Sequence, residues 1–387
     1  MKINWNTKYT TIAVYSFIVL SSVMLFYLSI SQIGELKNRI DNIIKVLQPF
    51  IIGFTIAYLL NFILDFYQNK FFENKIVKKV RIKSTKQISI LLTYITLFFI
   101  IGLFVKFVLP QLIDSIVGLA NDIPLYINST SRYFYELLQG LNINEEYSAK
   151  ILENFNGFLD FVIKFTTNLI PILGGLIGKI AASVWNIILG LVVSVYLLID
   201  KENLCALSKK ITYALFSERA ANKVIEITHK SNVTFGKFLS GKILDSSIIG
   251  VLTFIVLTIF KMPYILLISV IIGITNIIPF FGPFIGAVPC FIIILFISPT
   301  QALWFLLIIF IIQQLDGNII GPKILGDSIG ISAFWILFSI LVAGKLLGVV
   351  GMIIGVPLFA IIYSITKEII EEKLKKKGLK SDTKDYL

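Results

Sequence analysis

Long, almost uncharged apolar runs constrain the fold of this chain more than any other feature of its sequence. A helix needs about 20 mostly apolar residues to cross a bilayer, and runs near that length occupy residues 12–30, 46–66, 88–109, 181–199 and 243–260. The chain is then almost continuously apolar over 262–320 and 331–365. With 56% hydrophobic and 15% charged residues, it has too little polar surface for a soluble fold. The sequence therefore predicts an all-α polytopic membrane protein and excludes a cytosolic enzyme, a disulfide-stapled secreted module and a disordered chain.

Positive charge distinguishes the two sides of the predicted bundle. Of the 35 Lys and Arg residues, 24 fall in the first ten residues, in 67–87, in 200–242 and after residue 365. Residues 110–179 hold only four, against seven acidic residues. Because cytoplasmic loops carry such an excess of Lys and Arg, both termini are predicted to be cytoplasmic and 110–179 external. The net charge of +12 then reflects topology and anionic lipid, so the expected partner is the lipid bilayer and not a nucleic acid.

The same pattern divides the chain into six predicted parts. Residues 110–179 contain Ile151, Phe155 and Leu159 at helical spacing, which predicts amphipathic helices. These would cap the bundle or lie in the headgroup layer; the alternative is an oligomerisation arm or an outer gate. The parts are N-terminal membrane helices (1–109), the external amphipathic helical region (110–179), a membrane helix (180–199), a cytoplasmic connector (200–242), a C-terminal transport core with broken helices (243–365) and a basic cytoplasmic tail (366–387).

Two apolar blocks, 264–297 and 332–365, are longer than a simple span and are interrupted near the middle by Gly and Pro. Prolines remove helix donors, so no continuous helix is expected in the first block. In the second, glycines at steps of four, three and four would share one helical face, suited to close packing or gating. Each block is a hairpin or a single broken crossing, and breaks so near the middle favour hairpins. A pair of such blocks points to the binding site of a secondary transporter. The glycines and proline of the second block are Gly344, Gly348, Gly351, Gly355 and Pro357.

A few polar residues interrupt the apolar C-terminal half. Ionisable side chains inside a membrane are costly, so each one is a functional hypothesis. Asp316 is predicted to relay protons or hold a cation, or else to pair with Lys323 or Lys345; Asp245, near the start of its span, is a secondary candidate. Asn276 lies beside the broken backbone and suits a small polyol better than an ion. The predicted pathway for solute or ion comprises Asn276, Pro279, Gly282, Pro283, Gly286, Pro289, Gln313, Asp316, Asn318, Pro322 and Lys345.

Motifs for catalysis or metal binding are missing from the sequence. The one histidine, His229, lies in the Lys-rich connector, and Cys205 and Cys290 fall in different predicted compartments, so neither a disulfide nor a zinc site is expected. The sequence thus predicts no enzyme, no cofactor and no metal. Because it also lacks a nucleotide site, any transport would depend on gradients.

Three C-terminal stretches resemble signatures of the AI-2E transporter family: NIIPFFGPFIGAVP (276–289), QQLDGNIIGPKILG (313–326) and GVVGMIIGVPLFA (348–360). YLLIDKE (196–202), FLSGKILD (238–245) and LQPFIIGFTIAYLL (47–60) are similar to family segments as well. The resemblance implies a multi-pass exporter with about eight membrane segments in the plasma membrane of a bacterium, assembled as a homo-oligomer, with a pentamer as the expected number. It suggests export of autoinducer-2, a small polyhydroxylated quorum-sensing signal. Other members of the family resemble sodium or lithium/proton antiporters.

Three functions are therefore weighed. The first is a secondary exporter of a small polar solute, with autoinducer-2 as the candidate solute. The second is a sodium (lithium)/proton antiporter in which the carboxylate of Asp316 alternates between cation and proton. The third is a membrane scaffold without transport activity that binds partners through the connector at 200–242. Replacing Asp316 by Asn separates the first two, because the change would abolish ion exchange and leave part of the flux of a neutral solute.

Overall fold

Helices make up the architecture of the protein. The computed structural model describes residues 7–31, 33–71, 82–140, 145–325 and 330–386, and no strand occurs in these ranges. The predicted all-α class is therefore confirmed. Part of the basic cluster predicted at 67–87 lies outside the described residues, namely Lys75, Lys78, Lys79 and Arg81.

The helices follow one another with short connections. They are α1 (Thr7–Ser31), α2 (Ile33–Asp65), α3 (Ile82–Leu103), α4 (Leu109–Gly140), α5 (Glu145–Ala182), α6 (Val184–Ile199), α7 (Lys201–Leu215), α8 (Glu218–Ile259), α9 (Ile265–Thr275), α10 (Gly282–Ile297), α11 (Pro299–Leu315), α12 (Gly321–Leu325) and α13 (Ala333–Lys376). Wider π-helical turns continue three of them: α2 over Phe66–Phe71, α3 over Phe104–Val108 and α11 over Asp316–Ile320.

Several helices are long and apolar enough to cross a membrane. By length and composition, and within the described ranges, these are Asn42–Gln68, Thr85–Leu119, Glu218–Ile259, Pro299–Ile324 and Ala333–Lys376, with a sixth if Val184–Ile199 and Lys201–Leu215 form one span. Ala333–Lys376 is divided at Gly348. Shorter apolar helices occupy Tyr9–Met24, Ile265–Thr275 and Gly282–Ile297. The apolar runs predicted at 46–66, 88–109 and 243–260 all lie inside the long helices.

The chain divides into two compact units. The first comprises residues 1–57 and 183–197, and the second comprises 58–182 and 198–387. In the first unit, α2 and α6 approach closely at glycines, since a Cβ at Gly53 would lie 2.7 Å from Val193 and a Cβ at Gly190 would lie 2.7 Å from Ile52. Small residues of this kind allow two membrane helices to pack backbone to backbone.

In the second unit, the amphipathic helices α4 and α5 pack on α9 and α10. Leu119 and Leu159 are buried with Phe296 in one apolar cluster, and the ring of Phe158 stacks on Phe296 with 6.0 Å between centroids. The amphipathic pattern predicted for residues 110–179 therefore folds as a helical layer on the α9–α10 pair. The location of this layer outside the cell stays a prediction.

The first broken block, α9 and α10, is a helical hairpin. The chain reverses over residues 276–281, and a Cβ at Gly282 would overlap the carbonyl oxygen of Thr275. The predicted break is confirmed, but it is confined to this turn around Pro279. Pro283 occupies the first turn of α10, where proline is tolerated, and Pro289 lies inside α10, so the turn at 276–281 alone separates the two helices.

The second broken block, α13, is also a hairpin. Gly348 has φ 63° and ψ −144°, which is not helical and divides α13 into two arms. A Cβ at Gly351 would overlap the carbonyl oxygen of Ala343, and a Cβ at Gly355 would lie 2.6 Å from the Cβ of Ala343, so the arms run back along each other. The prediction that four glycines share one helical face is wrong, because Gly348 forms the turn; Gly344, Gly351 and Gly355 lie where the arms meet.

Candidate functional site

Four polar side chains meet in the interior of the second unit and form what we call the buried charge cluster: Lys242, Asp245, Asn276 and Asp316. Asp245 is fully buried, Asn276 is 1% exposed, and Lys242 and Asp316 are 7% and 9% exposed. Charged residues are almost never buried to this degree without partners. The buried charge cluster is therefore a candidate functional site.

Local structure explains how each member reaches the cluster. Lys242 and Asp245 are three residues apart on α8, which places both side chains on one helix face. Asn276 caps the end of α9 where the hairpin turn begins. Asp316 begins the π-helical turn after α11, and such turns are frequent at functional sites. Three elements, α8, α9 and α11, thus converge at the cluster. Regular α-helix geometry ends there in α9 and α11.

Hydrogen bonds connect the two carboxylates through one amide. The Nζ of Lys242 donates to Oδ2 of Asp245 at 2.7 Å. The Nδ2 of Asn276 donates to Oδ2 of Asp245 at 3.2 Å and to Oδ2 of Asp316 at 3.4 Å. An amide nitrogen carries two hydrogens, so Asn276 uses one for each carboxylate. Asp245 and Asp316 are consequently held within direct electrostatic interaction of each other.

The cluster has unused binding capacity. The Oδ1 atoms of Asp245 and Asp316 are buried and have no hydrogen-bond partner among the described residues, and the same holds for Nε2 of Gln313, three residues before Asp316. Two carboxylates face one ammonium group, so the fully ionised cluster has one uncompensated negative charge. Because such a charge is costly at membrane depth, one proton or one monovalent cation would neutralise it. In the part of the chain that is described, no group of three or more His, Cys, Asp or Glu side chains gathers as a metal site.

The structure brings some predicted site residues together and separates others. Asp245, Asn276 and Asp316 meet, with Gln313 adjacent. Other members of the predicted pathway lie on the surface: Asn318 is exposed and bonds to Gln314, and Pro322 and Lys345 are exposed. Gly282 borders the cluster, since a Cβ there would lie 2.9 Å from the Cα of Asn276. The lysine that accompanies the carboxylates is Lys242, whereas no ion pair joins Asp316 to Lys323 or Lys345 in the described ranges.

Lys242 is the residue that sequence reasoning missed. Its spacing of three from Asp245 was visible in the stretch Gly241–Asp245, and it could have indicated an internal pair on one helix face. Because Lys242 lies at the end of the basic connector predicted at 200–242, it was counted only among the lysines that indicate the cytoplasmic side. The helix α8 continues without a break through residues 242 and 243, which carries Lys242 into the interior.

The fold and the cluster define a class of protein. A polytopic all-α membrane protein with two helical hairpins and a buried, incompletely neutralised charge cluster is typical of membrane transporters. Residues 40–371 match the family described as "AI-2E family transporter". The chain belongs to the AI-2E transporter family, so the resemblance found in the sequence is confirmed.

Relatives of this chain are also named for transport. "Putative transport protein YueF" of Bacillus subtilis is 27% identical over 84% of this chain and 87% of the relative. "Putative transport protein YrrI" of the same organism is 28% identical over 81% of this chain and 84% of the relative. A further relative, "Putative transport protein YhhT" of Escherichia coli, is 26% identical over 58% of this chain. These similarities support a transporter of the membrane and name no substrate.

Proposed function

We propose that this protein is a gradient-driven secondary transporter that exports a small polar solute, with the carboxyl pair Asp245–Asp316 carrying the coupling proton or monovalent cation. One observation carries the proposal: two buried carboxylates share the amide of Asn276, each keeps an oxygen without a partner, and a single lysine opposes them. A site that lacks one positive charge is suited to bind and release a proton or a monovalent cation, which an ion gradient supplies.

The physical basis of coupling is the cost of moving an unbalanced charge. With a proton or monovalent cation bound, the cluster is neutral and its elements can rearrange inside the membrane at lower cost. When the ion leaves, the cluster regains a net negative charge and needs water or a new ion. Because Asn276 belongs to the α9–α10 hairpin and Asp316 to the end of α11, occupancy of the cluster biases the relative positions of these elements.

Autoinducer-2 is the first solute to test. It is the substrate that the resemblance suggests, and its hydroxyl groups can bond to amide side chains such as those of Asn276 and Gln313. The protein is reconstituted into proteoliposomes, a proton or sodium gradient is imposed, and uptake of autoinducer-2 is measured. Wild-type protein is expected to accumulate the solute against its concentration gradient.

The variant Asp316→Asn tests the role of the carboxyl pair. It keeps the size of the side chain and removes its charge, so accumulation against a gradient should be abolished while part of the downhill flux remains. Asp160→Asn on the exposed surface of α5 is the matched control and should behave as wild type. Undiminished accumulation by Asp316→Asn would overturn the role of the pair, and absence of flux in wild type under every gradient would overturn transport of this solute.

A second function, sodium or lithium/proton antiport, is favoured by the same unpartnered oxygens, since carboxylate and amide oxygens are ligands that hard cations accept. In this case the cation itself is the substrate. Addition of sodium or lithium to proteoliposomes without organic solute should then move protons, and Asp316→Asn should abolish that movement. Proton movement that requires autoinducer-2 would instead support the exporter.

A further inference from the structure

A polar cavity lies between α8 and the C-terminal arm of α13, apart from the buried charge cluster. It has a volume of about 290 Å³. Seven of its lining residues carry polar side chains: Lys230, Ser231, Thr234, Tyr363, Ser364, Lys367 and Glu368. We call this space the hydroxyl cavity. Its volume is at the lower end of the range for small-molecule sites.

The hydroxyl groups in this cavity are available for a ligand. Helical Ser and Thr side chains commonly bond to the carbonyl four residues earlier, and neighbours outside the cavity do so: Thr228 to Val224, Ser240 to Gly236 and Thr366 to Ile362. No such bond is formed by Ser231, Thr234 or Ser364 within the described structure. Three hydroxyls from two helices, half-buried at Ser231 and Thr234 and exposed at Ser364, therefore line one small space without a hydrogen bond to the described protein.

The charges beside these hydroxyls balance each other. Lys230 and Glu368 form an ion pair across the two helices at 3.7 Å, and Lys230 also contacts Glu226 at 2.7 Å. Lys223 bonds to Glu368 as well. The second lysine of the cavity, Lys367, pairs with Glu371 at 3.8 Å. A cavity whose charged side chains already have partners offers little to an ion and more to a neutral molecule with several hydroxyl groups.

An apolar layer separates the hydroxyl cavity from the buried charge cluster. One turn beyond Thr234 on α8 is Phe238, which is 1% exposed and packs with Ile340 and Val356. One further turn along α8 is Lys242. The order along α8 is thus hydroxyl, aromatic, charge, so that a solute in the cavity is one apolar layer away from the site proposed to carry the coupling ion.

We propose that the hydroxyl cavity is a binding site for the exported solute, a small neutral molecule with several hydroxyl groups. The cavity lies nearer the N-terminus of α8 than the buried charge cluster does. This inference rests on the proposed function, because it supplies the solute site that the coupling site needs. Recognition comes from Ser231 and Thr234 of α8 and Ser364 of α13, and Phe238 lies one helical turn beyond Thr234.

Protection of an introduced cysteine tests the site without any gradient. The full-length protein with Cys205→Ser and Ser364→Cys is labelled with a maleimide in detergent, with and without ribitol as a neutral five-hydroxyl probe. Cys290 is fully buried and does not compete. Ribitol should slow labelling several-fold at saturation, while the matched protein with Thr366→Cys, outside the cavity, should be unaffected.

The outcomes are decisive in either direction. Equal labelling rates with and without ribitol, or equal slowing at both cysteines, would overturn the site. Protection by potassium chloride but not by ribitol would also overturn it, since the cavity would then bind ions. Because labelling needs no coupling ion, failure here is distinct from failure of the carboxyl pair, which appears only in gradient-driven flux.

A second measurement addresses the individual hydroxyls. Thr234→Val keeps the shape of the side chain and removes one hydrogen bond, so the ribitol concentration that gives half-maximal protection should rise by up to about tenfold. Thr228→Val removes a hydroxyl that is already bonded to its own helix and should leave this concentration unchanged. The same effect from both variants would overturn direct recognition by Thr234.

Discussion

At the scale of single residues, Asn276 explains why two carboxylates can remain close together inside the protein. Its amide nitrogen donates to both of them, while Lys242 donates to only one. Asp245 is therefore doubly supported, and Asp316 depends on the amide and on whatever ion joins it. If the cluster carries the coupling ion as proposed, this asymmetry favours Asp316 as the carboxylate that takes up and releases it, with Asp245 held by Lys242.

Removing the charge of Lys242 should destabilise the protein, and also removing the charge of Asp245 should restore part of the lost stability. Lys242→Met is expected to lower the free energy of unfolding by about 3–5 kcal/mol, because it leaves Asp245 buried without its counter-ion. Adding Asp245→Asn should recover much of this loss, since the uncompensated charge disappears. Unfolding of the purified protein in mixed micelles with increasing SDS provides the measurement.

Lys237→Met, on the exposed side of α8, is the matched control and should change the free energy of unfolding little. If Lys242→Met is no worse than this control, the ion pair is not a structural element. If the second substitution adds a further loss instead of compensating, Lys242 stabilises the protein through contacts other than Asp245.

At the scale of elements, both hairpins depend on residues that let two backbones meet. In α13 the turn is made by Gly348, with a positive φ that L residues with side chains rarely adopt. The arms then touch at Gly351 and Gly355. In the α9–α10 hairpin, Gly282 and Gly286 lie against Thr275 in the same way. Each hairpin is thus held by backbone contact on one side of its turn.

A methyl group at the contact should weaken the second hairpin. Gly351→Ala is expected to cost about 1–3 kcal/mol of stability, because the new Cβ would overlap the carbonyl oxygen of Ala343 and force the arms apart. Gly102→Ala in α3 meets no atom within 4 Å and should be neutral or slightly stabilising. The midpoints of thermal unfolding in detergent compare the two; equal midpoints would contradict the close approach of the arms.

The elements also show how far sequence reasoning could go. Apolar length located the long helices at 46–66, 88–109 and 243–260, because bilayer thickness imposes that length on any sequence. The run at 12–30 corresponds to a shorter apolar helix, Tyr9–Met24. Periodicity could not locate the turn in α13, since it depends on the backbone angles of one glycine among four. The cluster was only partly predictable. Asp316 and Asn276 were visible as costly polar groups in apolar segments. Lys242 lies just before the apolar run at 243–260, and it is internal because α8 begins well before that run.

At the scale of the whole molecule, charge and burial follow one direction along α8. Its N-terminal half carries ion pairs to α13, among them Lys230 with Glu368 at the hydroxyl cavity. Beyond the cavity come the apolar layer at Phe238 and the buried charge cluster. Exposed pairs of this kind each contribute little to stability, so their main consequence is to put charged groups at the N-terminal end of α8. Under the proposed function, a solute would meet surface charge first and the buried charge cluster last, which is the order that an exporter loading from the cytoplasm requires.

That order is useful to an exporter only if α7 and the start of α8 face the cytoplasm, and accessibility to a membrane-impermeant maleimide tests this orientation. Cys205 is exposed on α7, in the stretch with eight Lys and Arg residues, and should react only after the cells are permeabilised. Asn128→Cys, exposed on α4 and combined with Cys205→Ser, should react in intact cells, because its region carries more acidic than basic residues. Both proteins should label equally once denatured, which controls for reactivity. Labelling of Cys205 in intact cells would reverse the orientation, and the hydroxyl cavity would then open to the outside and serve uptake.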